Sequence, residues 1–158
     1  MLGDNVDTDL IVPGRYMKFA IEEIARHCLE PVLPSFANEV KKGDFVVAGR
    51  NFGAGSSREQ APAALRQLGV AALIAPSFAG IFYRNSLNVG LPALVCSRAG
   101  KIRDGDSLSV DYARSEIANL ASGERLPFEP IPDHLLEMVR DGGLLAHLEK
   151  RLRKEPAP

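Results

Sequence analysis

The groups in this 158-residue chain best placed to do chemistry are concentrated in Gly49-Arg50-Asn51-Phe52-Gly53-Ala54-Gly55-Ser56-Ser57-Arg58-Glu59-Gln60. Gly53 and Gly55, one residue apart, permit positive φ and a close approach of ligand to backbone. Ser56 and Ser57 add two hydroxyls, and Arg58 adds a permanent cation. Where a strand hands over to a helix, such a loop presents N–H groups that attract anions such as carboxylates. Helix capping competes for the same serines, since Ser56-x-x-Glu59 and Ser57-x-x-Gln60 both have capping-box spacing. Capping accounts for one serine but not for Gly-x-Gly-Ser-Ser-Arg as a unit. Other glycine-loop chemistries fail on residue type. A phosphate-binding P-loop needs Gly-Lys-Ser/Thr, and no lysine lies between Lys42 and Lys101. A dinucleotide fingerprint needs glycine where Arg58 stands, and a nucleophile elbow needs glycines two residues to either side of its serine. His27, His134 and His147 fall in expected helices remote from the loop, so no Ser-His pair is drawn.

A second stretch, Gly3-Asp4-Asn5-Val6-Asp7-Thr8-Asp9-Leu10-Ile11-Val12-Pro13-Gly14-Arg15-Tyr16, carries three closely spaced aspartates. A calcium loop would need an internal glycine and a closing glutamate, which are missing, and Asx-type turns use the same residues structurally. No metal site is expected on this chain. Cys28 and Cys96 are its only cysteines, too few for an iron–sulfur cluster or a cysteine zinc site. They also exclude a disulfide framework and point to a reducing, cytoplasmic home.

Bulk composition narrows the partners. With 19 basic and 20 acidic residues the net charge is −1, so no basic excess calls for nucleic acid or an anionic membrane. No apolar run approaches the ~20 residues that cross a bilayer, and the acidic N-terminus does not resemble a signal peptide. The run Lys150-Arg151-Leu152-Arg153-Lys154 reads as a solvated helix end that suits the helix dipole.

The elements that must hold the loop are legible around it. Phe45 to Ala48 reads as a strand, Ala61 to Leu68 as a helix stopped by Gly69, and Val70 to Ala75 as a continuous buried strand. Phe78 to Leu87 reads as a helix with apolar residues at Phe78, Ile81, Phe82 and Leu87. Ala93 to Cys96 is a third strand, and right-handed crossovers make the three parallel. A half-exposed strand over Ser107 to Asp111 and turns at Asp104-Gly105-Asp106 and Ser122-Gly123-Glu124 mark a short β-rich insertion. Helical spacing follows from Pro132, broken at Gly142-Gly143 and resumed through Leu144, Leu145 and Leu148. One layered α/β domain over residues 1–154 is expected, with a disordered end at Glu155-Pro156-Ala157-Pro158.

Taken together, Gly3 to Asp9, Asn51 to Glu59, and Ser77-Phe78-Ala79-Gly80-Ile81-Phe82-Tyr83-Arg84-Asn85, with the trailing Gly90-Leu91-Pro92, resemble the small subunits of isopropylmalate dehydratase and homoaconitase. These subunits match the swivelling domain of aconitase. The resemblance implies a layered β/β/α domain of the aconitase C-terminal type, a mixed sheet with a parallel βαβαβ core. It implies a reversible dehydration and rehydration that moves a hydroxyl between adjacent carbons of a hydroxy-dicarboxylate or tricarboxylate. It also implies a large subunit carrying a four-iron–four-sulfur cluster whose open iron binds the leaving hydroxyl, which agrees with the cysteine count here.

By resemblance, Ser56 matches the serine that acts as alkoxide base, while Ser57 and Arg58 match substrate-binding positions. Asp9 matches an acidic residue near the active site, for which a structural role is the alternative. The loop Tyr16-Met17-Lys18-Phe19 matches the segment associated with substrate choice. Met17 and Phe19 offer apolar surface for an isopropyl group; Lys18 offers a cation for a further carboxylate, unless it is merely solvated. Isopropylmalate dehydratase is the first expectation and homoaconitase the second, with dimethylmalate-type substrates open because of Lys18. A non-catalytic anion-binding or regulatory module of the same fold is the reading from another class, and the joint presence of Ser56 and Arg58 argues against it. Two departures stand out: Gln60 replaces a histidine common in the family, and only Met1 and Leu2 precede Gly3, where the family commonly has a short strand. An unfilled apolar partner surface makes self-association of the isolated chain plausible.

Overall fold

Short apolar runs between turn residues become strands here because a sheet buried on both faces accepts them without alternation. The structure is a computed structural model that describes residues 1–154, so the end expected to be disordered (155–158) lies outside the described residues. Three short helices come first, Thr8–Ile11 (α1), Ile21–Arg26 (α2) and Phe36–Glu39 (α3), with a 3-10 turn over Gly14–Tyr16. Then follow Phe45–Val47 (β1), Gln60–Gln67 (α4), Ala72–Ala75 (β2), Gly80–Asn88 (α5) and Ala93–Val95 (β3). The strands pair in the order β1-β2-β3, all parallel, with Val46 opposite Leu73 and Ile74 opposite Leu94. This is the strand–helix–strand–helix–strand expected, with ends trimmed by a residue or two.

The two faces of β2 separate two cores. Leu73 and Ala75 point toward Ile24 and Ala25 of α2 and Ala61, Ala64 and Leu65 of α4. Ala72 and Ile74 point the other way, toward Leu94, Ile117, Leu126 and Phe128. That second core is covered by Leu108–Asp111 (β4), Glu116–Asn119 (β5) and Arg125–Pro127 (β6), an antiparallel sheet of its own. Parallel and antiparallel pairing are thus divided between two sheets rather than joined in one mixed sheet. Buried Asn119 closes the β5–β6 turn, its amide oxygen accepting from the Ala121 and Ser122 N–H groups. Asp133–Arg140 (α6) seals this core with Leu136 and Met138.

Leu144–Lys154 (α7) follows the expected Gly142-Gly143 break and packs on α6 and α5. Its apolar residues stay largely outside both cores: Leu145 is 78% and Leu152 71% exposed. A polar clamp holds it instead. The Asp141 carboxylate, only 10% exposed, lies 2.6 Å from His147 Nδ1 and also accepts from Lys150 Nζ. These bonds, Lys150 first and His147 second, hold Asp141 below its ordinary carboxylate range. The basic run ends the helix as expected, with Arg151, Arg153 and Lys154 in the last turn.

One expected helix face needs correction. Phe78 precedes α5, because the chain there is extended and bridges in parallel to Phe52. Ile81 is 49% exposed, and the buried face of α5 is Phe82, Ser86 and Leu87 instead. Phe52 sits edge-on to Phe82 at 5.3 Å and to Phe78 at 6.2 Å, a packing that ties the loop after β1 to α5. Gly53 lies directly on this cluster. At φ +81° a β-carbon there would fall 2.1 Å from Phe82 Cγ.

Two outcomes are expected. Gly53→Ala combines a ring clash with a left-handed backbone and destabilises the chain by about 2–4 kcal/mol in urea unfolding. Asp141 has a depressed folded pKa, so its contribution is complete above the usual carboxylate range and is lost as pH falls through the folded value. Amide exchange in α7 therefore accelerates relative to the β2 core below about pH 4, and Asp141→Asn shows fast α7 exchange already at pH 7.

Candidate functional site

The glycine–serine loop is held from both sides. On one side the segment before α1 runs beside it: the Asn5 N–H donates to the Arg50 carbonyl (2.8 Å), the Gly53 N–H to Val6 (2.8 Å), and the Thr8 N–H to Ala54 (2.8 Å). Asp4 Oδ1 accepts the Arg50 N–H at 2.7 Å, and Asn51 Nδ2 donates to Asn5 Oδ1 at 3.0 Å. Both asparagines have positive φ, +57° and +56°, which asparagine tolerates better than most residues. On the other side the Phe52 N–H donates to the Ser77 carbonyl (3.1 Å) and the Ala79 N–H to Phe52 (3.0 Å). Asn85 of α5 reaches the Ser57 carbonyl at 3.3 Å. The three sequence segments that carry the resemblance therefore meet at one place.

Within this frame α4 begins at Gln60 with Glu59 as its cap, and no side chain caps it. The capping-box reading of Ser56 and Ser57 is therefore not realised. Ser56 is engaged elsewhere: its N–H donates to Thr8 Oγ1 at 3.1 Å, and the two hydroxyl oxygens lie 3.1 Å apart. Ser56 and Ser57 face the surface, whereas Thr8 is buried. Arg58 Nη1 donates to an Asp9 carboxylate oxygen and to the Val12 carbonyl at 3.2 Å, and its side chain is 22% exposed. Asp9 thus aims the guanidinium, leaving its remaining N–H groups for an incoming anion.

The three aspartates do three different jobs: Asp4 holds the loop, Asp7 caps α1 through the Leu10 N–H at 2.8 Å, and Asp9 pairs with Arg58. Among the described residues no group of three acids, histidines or cysteines could hold a metal. Cys28 and Cys96 lie in opposite cores, and burial pushes Cys28 up to about 12 and raises Cys96 as well. Neither is a thiolate, and they do not approach each other, so these residues do not fit an iron–sulfur cluster.

The Tyr16–Phe19 loop begins beside Arg58, whose Nη2 lies 3.6 Å from where a β-carbon on Gly14 would stand. Tyr16 and Met17 are half-buried, and Lys18 and Phe19 are exposed, with Lys18 Nζ 5.4 Å from the Phe19 ring. His27, expected inside a helix, instead follows α2 and stacks on Tyr16 at 3.7 Å. The Tyr16 hydroxyl donates to Glu30 Oε2 at 3.0 Å, and Arg15 reaches the same oxygen at 3.1 Å. The Tyr16 bond, then Arg15 and His27, hold Glu30 below its ordinary carboxylate range.

Sequence reasoning assigned no role to Thr8, Asn5, Asn51, Ser77 or Asn85. Thr8 had a signal: a hydroxyl at the start of an apolar run, between two acids, is placed to turn inward. Ser56, Ser57 and Arg58 line neither of two cavities of about 550 Å³, one along β1 and residues 102–108, the other beside Arg66 and Gly142. The loop is an open surface held by hydrogen bonds on both sides.

Comparison with known proteins agrees with this geometry. The Aconitase C-terminal domain family matches residues 5–99. The chain is 52% identical to the 3-isopropylmalate dehydratase small subunit 1 of Archaeoglobus fulgidus, over 96% of this chain and 94% of that protein. It is 50% identical to the methanogen homoaconitase small subunit of Methanothermobacter thermautotrophicus, over 95% and 88% respectively. The crystal structure of a 3-isopropylmalate dehydratase from Methanocaldococcus jannaschii superposes with a TM-score of 0.92 at 42% identity, over 97% of this chain and 92% of that one. The chain belongs to the aconitase C-terminal domain family, among the small subunits of isopropylmalate dehydratases and homoaconitases.

Proposed function

We propose that this chain is the small subunit of a heteromeric hydro-lyase, active with a large iron–sulfur subunit, that isomerises 3-isopropylmalate in leucine biosynthesis in the cytoplasm. The observation that carries this reading is the Ser56-Ser57-Arg58 edge, its serines exposed and its ends anchored by Thr8 and Asp9, in a chain about half identical to a named dehydratase and a named homoaconitase small subunit. Ser56 Oγ, as alkoxide, takes the proton from the carbon next to a substrate carboxylate. The C–H electron pair stays on that carbon, its charge spreads into the carboxylate, and an O–H bond forms on Ser56. Loss of the hydroxyl from the adjacent carbon then gives the alkene, and the reverse steps return proton and hydroxyl to exchanged positions. The Arg58 guanidinium, held by Asp9, binds the carboxylate whose charge grows as the proton leaves, and Ser57 adds a hydroxyl donor. The cluster would supply the Lewis acid for the leaving hydroxyl, and it belongs to the large subunit, since Cys28 and Cys96 here are buried apart.

A homoaconitate-type substrate is the second reading, favoured by exposed Lys18 on the loop beside Arg58 and by the 50% identity to a homoaconitase small subunit. Dimethylmalate has the smaller apolar group that such a loop would also admit.

The test is anaerobic assay of the complex formed by co-expression with the large subunit. Isopropylmalate turns over, and Ser56→Ala lowers kcat by about 10²–10⁴-fold while the complex still forms. Turnover undiminished in Ser56→Ala removes Ser56 as the base. If homoaconitate is the substrate, Lys18→Ala raises KM for it; indifference of every KM to this change returns Lys18 to the solvent.

A further inference from the structure

A serine hydroxyl is a poor base until something stabilises its oxyanion. Arg58 is held through Nη1 by Asp9 and Val12, and its remaining donors are assigned to the substrate carboxylate. The group in contact with Ser56 Oγ is Thr8, a buried threonine at 1% exposure whose Oγ1 lies 3.1 Å from it. We propose that Thr8 is a positioning residue whose hydroxyl donates to Ser56 Oγ and makes it a stronger base. The inference rests on Ser56 being the base.

In the neutral pair either hydroxyl can donate; the surroundings place the Thr8 proton for the case in which Ser56 is charged. Thr8 Oγ1 accepts the Ser56 N–H at 3.1 Å with one lone pair, which keeps its proton free to donate. The Thr8 backbone is fixed, its N–H donating to Ala54 at 2.8 Å and its carbonyl accepting from Val12 at 2.9 Å. Its χ1 is restricted by β-branching, so the hydroxyl is aimed before substrate arrives. Once Ser56 has lost its proton it can only accept, and the contact becomes a charge-assisted O–H···O⁻ bond, stronger than its neutral form. Gly55, at φ +101°, makes room for this arrangement: a β-carbon there would stand 3.2 Å from Thr8 Oγ1. Thr8 therefore holds the Ser56 main chain through one lone pair and stabilises its charged side chain through its proton.

Thr8→Val keeps the shape and removes the donor. In the assembled complex it should lower kcat by about 10- to 100-fold with KM within about threefold, and move the alkaline rise of kcat up by about one pH unit. Thr8→Ser should restore most of the rate and return the pH profile. In a Ser56→Ala background Thr8→Val should change nothing further. Wild-type kcat and pH profile in Thr8→Val, with Ser56→Ala inactive, overturns the inference and leaves the base assignment standing; an active Ser56→Ala removes both. A raised KM with an unmoved pH profile reduces Thr8 to packing and also overturns it. Should Thr8→Val not assemble, Thr8→Cys is compared with Thr8→Ser: a weaker donor of similar size must be slower, and equal rates refute the proposal.

Discussion

A seam of hydrogen bonds between residues 2–12 and residues 47–58 is the constraint on which the candidate site depends. It begins where Leu2 donates to Val47 beside β1 and ends where Arg58 meets Asp9 and Val12. Each partner is more than 40 residues from the other along the chain, so neither segment can define the loop alone. Backbone pairing positions the loop to Ala54, and from there side chains take over: Thr8 holds Ser56, and Asp9 holds Arg58. The transition falls at Gly55, where backbone pairing stops and the hydroxyls begin. A hydrogen-bonded frame of this kind gives the Ser56 and Arg58 side chains a preset separation, which a mobile glycine loop would not.

The seam is stable because what lies beneath it is hard to deform. Phe52 is buried against Phe78 and Phe82, and Gly53 rests on the Phe82 ring. Below that, β2 is buried on both faces, one against α2 and α4 and the other against the antiparallel sheet. Cores packed to near-crystal density transmit displacement rather than absorb it. The loop is therefore a surface feature anchored on a buried core.

Much of this was legible in the sequence, for an identifiable reason. Runs such as Ala72 to Ala75 are apolar on both faces, a pattern that survives only in a covered parallel strand. The Gly-x-Gly-Ser-Ser-Arg loop is equally plain, because no ordinary structural element needs two glycines, two serines and an arginine at this spacing. What escaped detection depended on long-range contact. Phe78 fits helical spacing with Phe82, yet its bridge to Phe52 keeps it extended. Ser56 and Ser57 fit capping boxes by local rule, but Thr8, 48 residues away from Ser56, supplies a competing partner. Asp4, Asp7 and Asp9 look like one cluster on paper and serve three unconnected partners in space. The stacking of His27 on Tyr16 follows from the turn after α2, which local periodicity does not encode.

The exposure of Ser56 and Ser57 follows from the division of labour that the proposed function requires. An alkoxide bathed in water is solvated and weak, because every nearby dipole is screened and must reorganise as charge moves. A base on an open surface becomes effective only when a second surface closes over it and expels that water. Preorganisation and desolvation can then be supplied by different chains: the seam fixes Ser56, Ser57 and Arg58 in advance, and under the proposed function a covering partner would make their interactions count. This also accounts for the Asp9–Arg58 pair. An unpaired guanidinium on an open face would point wherever solvent took it, whereas one held by a carboxylate keeps its direction and still has donors for an anion. The pairing costs some of the cation's attraction for substrate and returns geometry, a favourable exchange for a reaction whose barrier depends on where the growing carboxylate charge is met.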